Sequence, residues 1–105
     1  MADNFNTIKV IQIFDEDGAK VNNNLDISDF RTVGSLSLQY DISGAEMTIC
    51  YSISLDGTEF FRQENTNLVF NETGKGLITF EMIVARYIRF ESFGTGTVSA
   101  WLGIQ

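Results

Sequence analysis

Apolar and polar residues alternate with a period of two through most of this chain. In SLSLQYDI, Leu36, Leu38, Tyr40 and Ile42 fall on one side, and Ser35, Ser37, Gln39 and Asp41 on the other. MTICYSIS sets Ile49, Tyr51 and Ile53 against Thr48, Cys50 and Ser52. RYIRFES places Ile88 and Phe90 opposite Arg89 and Glu91, with Tyr87 on the charged side. TVSAWLGI aligns Val98, Ala100, Leu102 and Ile104 against Thr97, Ser99 and Trp101. Such alternation marks strands with one buried and one wetted face. Further strands are expected near 6–14, 26–32, 58–64 and 77–83, and no segment carries a helical period.

Glycine-bearing links punctuate these runs: DEDG, SGA, LDGT, NETGKG and FGTG. Read as turns, they give about eight short strands, SGA closing a hairpin and FGTG separating the last two strands. The expected fold is all-β, an antiparallel sandwich of jelly-roll type. Asp56-Gly57 suits the two central positions of a type I′ hairpin turn, where both residues need φ > 0. DEDG reads as a second such corner. It fails as a calcium loop, because counting from Asp15 puts Lys20 at the glycine position and Asp26 at the position of the bidentate glutamate.

One stretch breaks the alternation. In TIKVIQIF, Ile8, Val10, Ile11, Ile13 and Phe14 occupy both faces. With one charge and no proline, this segment invites aggregation if left on an edge. It is expected either to be central in the sheet or to be covered by another chain, which makes these five residues candidates for a subunit interface.

Length and composition narrow the rest. The 105 residues form a single expected domain, 1–105, with 1–30 a candidate attachment or oligomerisation element. Hydrophobic residues at 44% suffice for one core, and nine Phe supply bulk that needs no polar partner. A net charge of −7 leaves little from which to build a basic face, so nucleic acid is not an expected partner, and anionic membranes are repelled. No apolar run is long enough to span a bilayer, and MADNFNTIKV lacks the basic-then-apolar pattern of a secretory signal. Cys50 is the single cysteine, expected as a buried inert thiol.

Candidate chemistry is sparse. The chain has no His, which removes Ser–His and Cys–His nucleophiles and the commonest metal ligand. No catalytic residue, cofactor or metal site is expected, and FGTGTV leads into a strand rather than a phosphate-binding helix. Two groups remain as ligand or partner contacts. Tyr87 and Trp101 would share the face opposite the core if their strands pair, offering flat rings to a subunit or to a sugar. Arg86 and Arg89 would meet an acidic partner, or Glu81 and Glu91 across strands.

Taken in order, SLSLQYDISG, a strand ending SISLDGTEFF, GLITFEMIVARYIRFES and GTGTVSAWLGIQ resemble small β-sandwich modules of tailed-phage virion proteins. The resemblance covers about residues 33–105 and is carried by the Ser54-Leu55-Asp56-Gly57 corner and the Arg86-Tyr87-Ile88-Arg89 strand. It implies a non-enzymatic virion component, a head decoration or cement protein or a fibre module. Such a component is commonly a homotrimer, is made in the host bacterial cytoplasm and is bound to a phage capsid or tail protein. A similar plan occurs in discoidin-like carbohydrate-binding sandwiches, which leaves a glycan as the alternative partner.

Overall fold

The computed structural model describes residues 8–21, 24–27, 36–62, 67–80 and 85–104. Every element among them is a strand: β1 (Lys9–Asp17), β2 (Lys20–Val21), β3 (Leu25–Asp26), β4 (Leu36–Ser54), β5 (Asn67–Phe80), β6 (Tyr87–Gly94) and β7 (Thr97–Ile104). All pairings are antiparallel, in one seven-stranded sheet.

The register shows how one sheet makes a sandwich. β4 is the spine. β5 follows one edge of it, from Leu36↔Phe80 to Cys50↔Asn67. Along the other edge β6 and β7 lie end to end, β6 against Ser54 to Met47 and β7 against Ser43 to Ser37. β1, β2 and β3 then lie end to end along β7 and β6. Every ribbon breaks at the same level. β4 breaks between Ile42 and Met47, β5 between Glu72 and Gly74, β6 passes to β7 at 95–96, and β1 passes to β2 at 18–19. The sheet is creased along this line and folds over without closing, as when strands bend to serve two packed layers. The first half carries β1, β7, Leu36–Ser43 and the end of β5. The second half carries β2, β3, β6, Met47–Ser54 and the start of β5.

The crease explains the glycines. Gly44 and Gly74 have φ of 85° and 89°, which L side chains resist. At Gly94 and Gly96 a Cβ would stand 2.4 Å from the Glu46 carbonyl and 2.2 Å from the Ala45 carbonyl, so the ribbons touch there backbone to backbone. Hydroxyls engage backbone groups where the ladder is interrupted. Ser99 Oγ accepts from Glu16 N at 2.9 Å, Thr48 Oγ1 from Asn71 N at 3.1 Å, and Ser92 Oγ from Lys20 N at 3.0 Å.

Inside, the alternation is as the sequence implies. Leu36, Leu38 and Ile42 meet Val98, Ala100, Leu102 and Ile104 in the first half, and Met47 and Ile49 meet Ile88 and Phe90 in the second. The halves are joined where the Tyr51 ring lies 5.4 Å from that of Phe80, which sits opposite Leu36.

Several expectations change. SGA does not close a hairpin but lies inside the 19-residue β4. FGTG and NETGKG likewise bend ribbons without reversing them, and DEDG belongs to the same crease. The described residues form seven strands, of which β4 and β5 run longer than the spacing of the glycine links implies. Of the strand expected at 58–64, residues 58–62 hold a single bridge, Ile53↔Phe61, and 63–64 lie outside the described residues. That expected at 26–32 extends beyond the described residues. Of TIKVIQIF, residues 8–14 are described and are not central: β1 is an edge strand, paired among the described residues only with β7. A bulge between Gln12 and Phe14 turns both Ile13 and Phe14 into the core, so strict alternation fails at one residue.

Candidate functional site

The outward faces of the two halves differ in what covers them. On the second half, Cys50, Ser52 and Ser54 stand beside Glu91, Arg89 and Tyr87 of β6, and the loop after β4 folds back over them. Ser54 Oγ is the hub of that loop. It accepts from Asp56 N at 3.2 Å and Gly57 N at 2.9 Å, and donates to Asp56 Oδ1 at 2.9 Å. The same Oδ1 accepts from Thr58 N at 2.8 Å and Glu59 N at 3.0 Å. These bonds, the Glu59 and Thr58 amides first, hold the Asp56 carboxyl below its ordinary range. Of the Asp56-Gly57 pair only Gly57 has a positive φ, so the turn is not type I′ but a wider loop ended by the Ile53–Phe61 bridge.

This loop docks on the Arg-Tyr-Ile-Arg strand. Gly57 lies against Tyr87, whose ring would stand 3.0 Å from a Cβ there. The Arg89 guanidinium sits 4.0 Å from the Phe60 ring centroid, and its Nε donates to Asn24 Oδ1 at 2.9 Å. Arg86 lies over Tyr87 and forms a 3.7 Å ion pair with Asp26. Glu91 is bonded to Arg62, which also stacks on Phe93. Neither arginine has Glu91 as its partner, and Glu81 lies outside the described residues. Arg86, Tyr87 and Arg89 are therefore engaged within the chain. Cys50 is buried beneath this layer, and desolvation pushes its thiol pKa up. Beside it Ser52 Oγ is buried without a hydrogen-bond partner among the described residues.

The outward face of the first half has no such cover among the described residues. Register sets two rows across its four strands: Val10, Gly103, Ser37 and Thr79, then Gln12, Trp101, Gln39 and Leu77. Ile8, Val10 and Leu77 are 59%, 62% and 65% exposed. Gly103, lacking a side chain, leaves an open hollow of about 330 Å³ bounded by Ile8, Val10, Ser37 and Trp101. Trp101, half-buried, is a ridge. On its other side a second hollow is lined by Gln39, Tyr40, Asp41 and Lys75. The structure thus brings Ile8, Val10 and Trp101 onto one surface, while Ile11, Ile13 and Phe14 pack inward. Tyr87 does not join Trp101: their strands lie end to end, opposite Ser54 and Gln39 at the two ends of β4. Leu77 escaped the sequence reading because its expected strand was not placed beside β4. No cluster of potential metal ligands occurs among the described residues.

No protein-family model and no curated protein matches the chain. Solved structures do. The crystal structure of SPBc2 prophage-derived protein YomS aligns over 93% of this chain and 92% of that one, with a TM-score of 0.70 at 12% identity. CpGH89CBM32-6 produced by Clostridium perfringens aligns over 95% of this chain and 76% of its own, with a TM-score of 0.55 at 19% identity. At these identities the likeness is one of fold.

Proposed function

We propose that this chain is a non-enzymatic structural module of a phage particle, acting through protein–protein contacts made by the outward face of its first half. The observation that carries the reading is the apolar surface of Ile8, Val10 and Leu77 around Trp101, on a face that no loop covers among the described residues. Contiguous exposed apolar surface of this kind marks an association site. The end-to-end likeness to a prophage-derived protein supports the setting, as does the resemblance of residues 33–105 to virion modules. The expected assembly is a homo-oligomer, with three subunits the number the virion resemblance implies, attached to a capsid or tail protein.

Light scattering tests it. A mass that is a multiple of the 11.8 kDa chain is expected, falling to one chain in a Val10→Thr, Leu77→Gln variant that keeps its circular dichroism spectrum and melting temperature. Co-purification with capsid or tail protein should fall with it. A parent that stays at one chain mass at every concentration, and binds neither protein, overturns the reading.

One observation favours a second reading. Trp101 presents an indole beside Gln39, Asp41 and Lys75, an aromatic flanked by hydrogen-bonding groups as in sugar sites, and a similar fold serves a carbohydrate-binding module. Saturable saccharide binding on a glycan array, lost in Trp101→Ala, would replace the first reading with this one.

A further inference from the structure

At the far end of the second half, away from the uncovered sheet face, the loop after β4 shapes another open hollow of about 370 Å³. Its walls are apolar: Ile53, Leu55, Phe61 and Ala85. Leu55 and Phe61 are 74% and 62% exposed, a second pair of large apolar side chains left in water. Its rim is acidic, with Asp56 and Glu59 and no basic residue among the described residues of the lining. The Asp56 carboxylate is oriented in advance, since its Oδ1 takes three donors while its Oδ2 accepts no hydrogen bond among the described residues. Glu59 likewise enters no ion pair among them. Beneath, Phe60 against Arg89 and Gly57 against Tyr87 pin the loop to β6, so the hollow stands formed before anything enters it.

We infer that this hollow docks an apolar, arginine- or lysine-bearing segment of a partner protein. Long basic side chains are apolar along the stem and charged at the tip, which matches an apolar floor beneath a carboxylate rim. Complementary charge selects such a partner and repels acidic ones, and a chain of net charge −7 extends that preference well beyond the rim. The site is separate from the Trp101 face, so its occupant does not depend on what covers that face.

Nuclear magnetic resonance titration of the labelled full chain tests this with two probes, acetyl-Leu-Arg-Leu-amide and acetyl-Leu-Glu-Leu-amide. The arginine peptide should give saturable amide shifts confined to Ile53–Phe61 and Ala85, weakening as salt is raised. The glutamate peptide should bind about tenfold more weakly or not at all, the scale of one lost charge-assisted contact. A variant carrying Asp56→Asn and Glu59→Gln keeps the Oδ1 acceptor of the turn and should lose binding by a similar factor. Phe61→Ser should lose it with both carboxylates intact. Equal binding of the two peptides, shifts only around Trp101, or no saturable shift at these amides would each overturn the proposal.

Discussion

Replacing three crease glycines by alanine separates three physical effects, because each glycine is needed for a different reason. At Gly96 the new methyl would stand 2.2 Å from the Ala45 carbonyl and 2.7 Å from that of Ser43. Ordinary contacts lie beyond 3.4 Å, so either β4 or the β6–β7 link has to move by about 1 Å. Overpacking costs about 1–3 kcal/mol, and the upper end applies where the obstruction is backbone. At Gly74 there is open space around the added carbon, but φ is 89°, and an L residue held there loses about 1–2 kcal/mol. Gly18 has neither constraint, with nothing within 4 Å and no left-handed backbone. Alanine there restricts the unfolded chain and should stabilise by about 0.4–1 kcal/mol.

For a domain near this size 1 kcal/mol shifts the melting temperature by about 4–8 °C. Gly96→Ala should therefore melt about 10–20 °C lower, Gly74→Ala about 5–10 °C lower, and Gly18→Ala slightly higher. Thermal melts followed by circular dichroism, with urea titrations to confirm unchanged m-values, read the series directly. Asparagine, which tolerates left-handed backbone better than alanine, should recover part of the loss at position 74 and none at 96. Equal losses at 18, 74 and 96 would refute the reasoning, since they would mean that the three ribbons do not share a packed crease.

Three further outcomes follow from the second half. Asp56 has a lowered folded pKa, so the stability it contributes is present above the unfolded carboxyl pKa and lost as pH falls through the folded one; the gap in melting temperature between the parent and Asp56→Ala should close on acidification through that window. Cys50, buried and with its thiol pKa raised by desolvation, should be inert to an aromatic disulfide reagent at mildly alkaline pH and react on addition of denaturant. A double-mutant cycle between Phe60→Leu and Arg89→Met should return a coupling of about 0.5–2 kcal/mol from the stacked pair, and a coupling of zero would show that the loop is not docked as described.

The alternation along each strand was legible because burial of one face writes itself into every second residue. Leu36, Leu38 and Ile42, and the run from Val98 to Ile104, were assigned to the core from spacing alone and lie there. The glycine signals were legible only in part. SGA, NETGKG and FGTG mark backbone that needs φ > 0 or a close approach, but the same requirement arises where a strand reverses and where it creases. Only the register distinguishes the two, and register is a property of pairs of strands. Phe14 illustrates a smaller gap, because one bulged residue moved it from the face shared with Val10 to the core. At the candidate site, Ile8, Val10 and Trp101 were each singled out, yet nothing local placed them on one surface. That required β1, β7 and β4 to be neighbours, from opposite ends of the chain.

The two motifs that carried the resemblance have a physical role that neither shows alone. Ser54, Asp56 and Gly57 build the loop, and Phe60 follows three residues later at the spacing that sets its ring under Arg89. Arg86 and Tyr87 complete the seat, Tyr87 through its contact with Gly57. The corner and the strand are two sides of one docked layer, about thirty positions apart in sequence and in contact in space. This layer consumes the aromatic and cationic groups that looked available for a partner, and it covers part of one outward face of the sandwich, where Phe70 and Phe93 stay exposed. The other face receives no equivalent loop among the described residues, and Ile8, Val10 and Leu77 stay exposed there around Trp101. The residues that dock this layer are thus distinct from those of the proposed association face. Substitutions at Phe60, Tyr87 or Arg89 should lower stability whether or not the chain assembles. Substitutions at Val10 or Leu77 should change assembly and leave the melting temperature of the isolated chain nearly where it was.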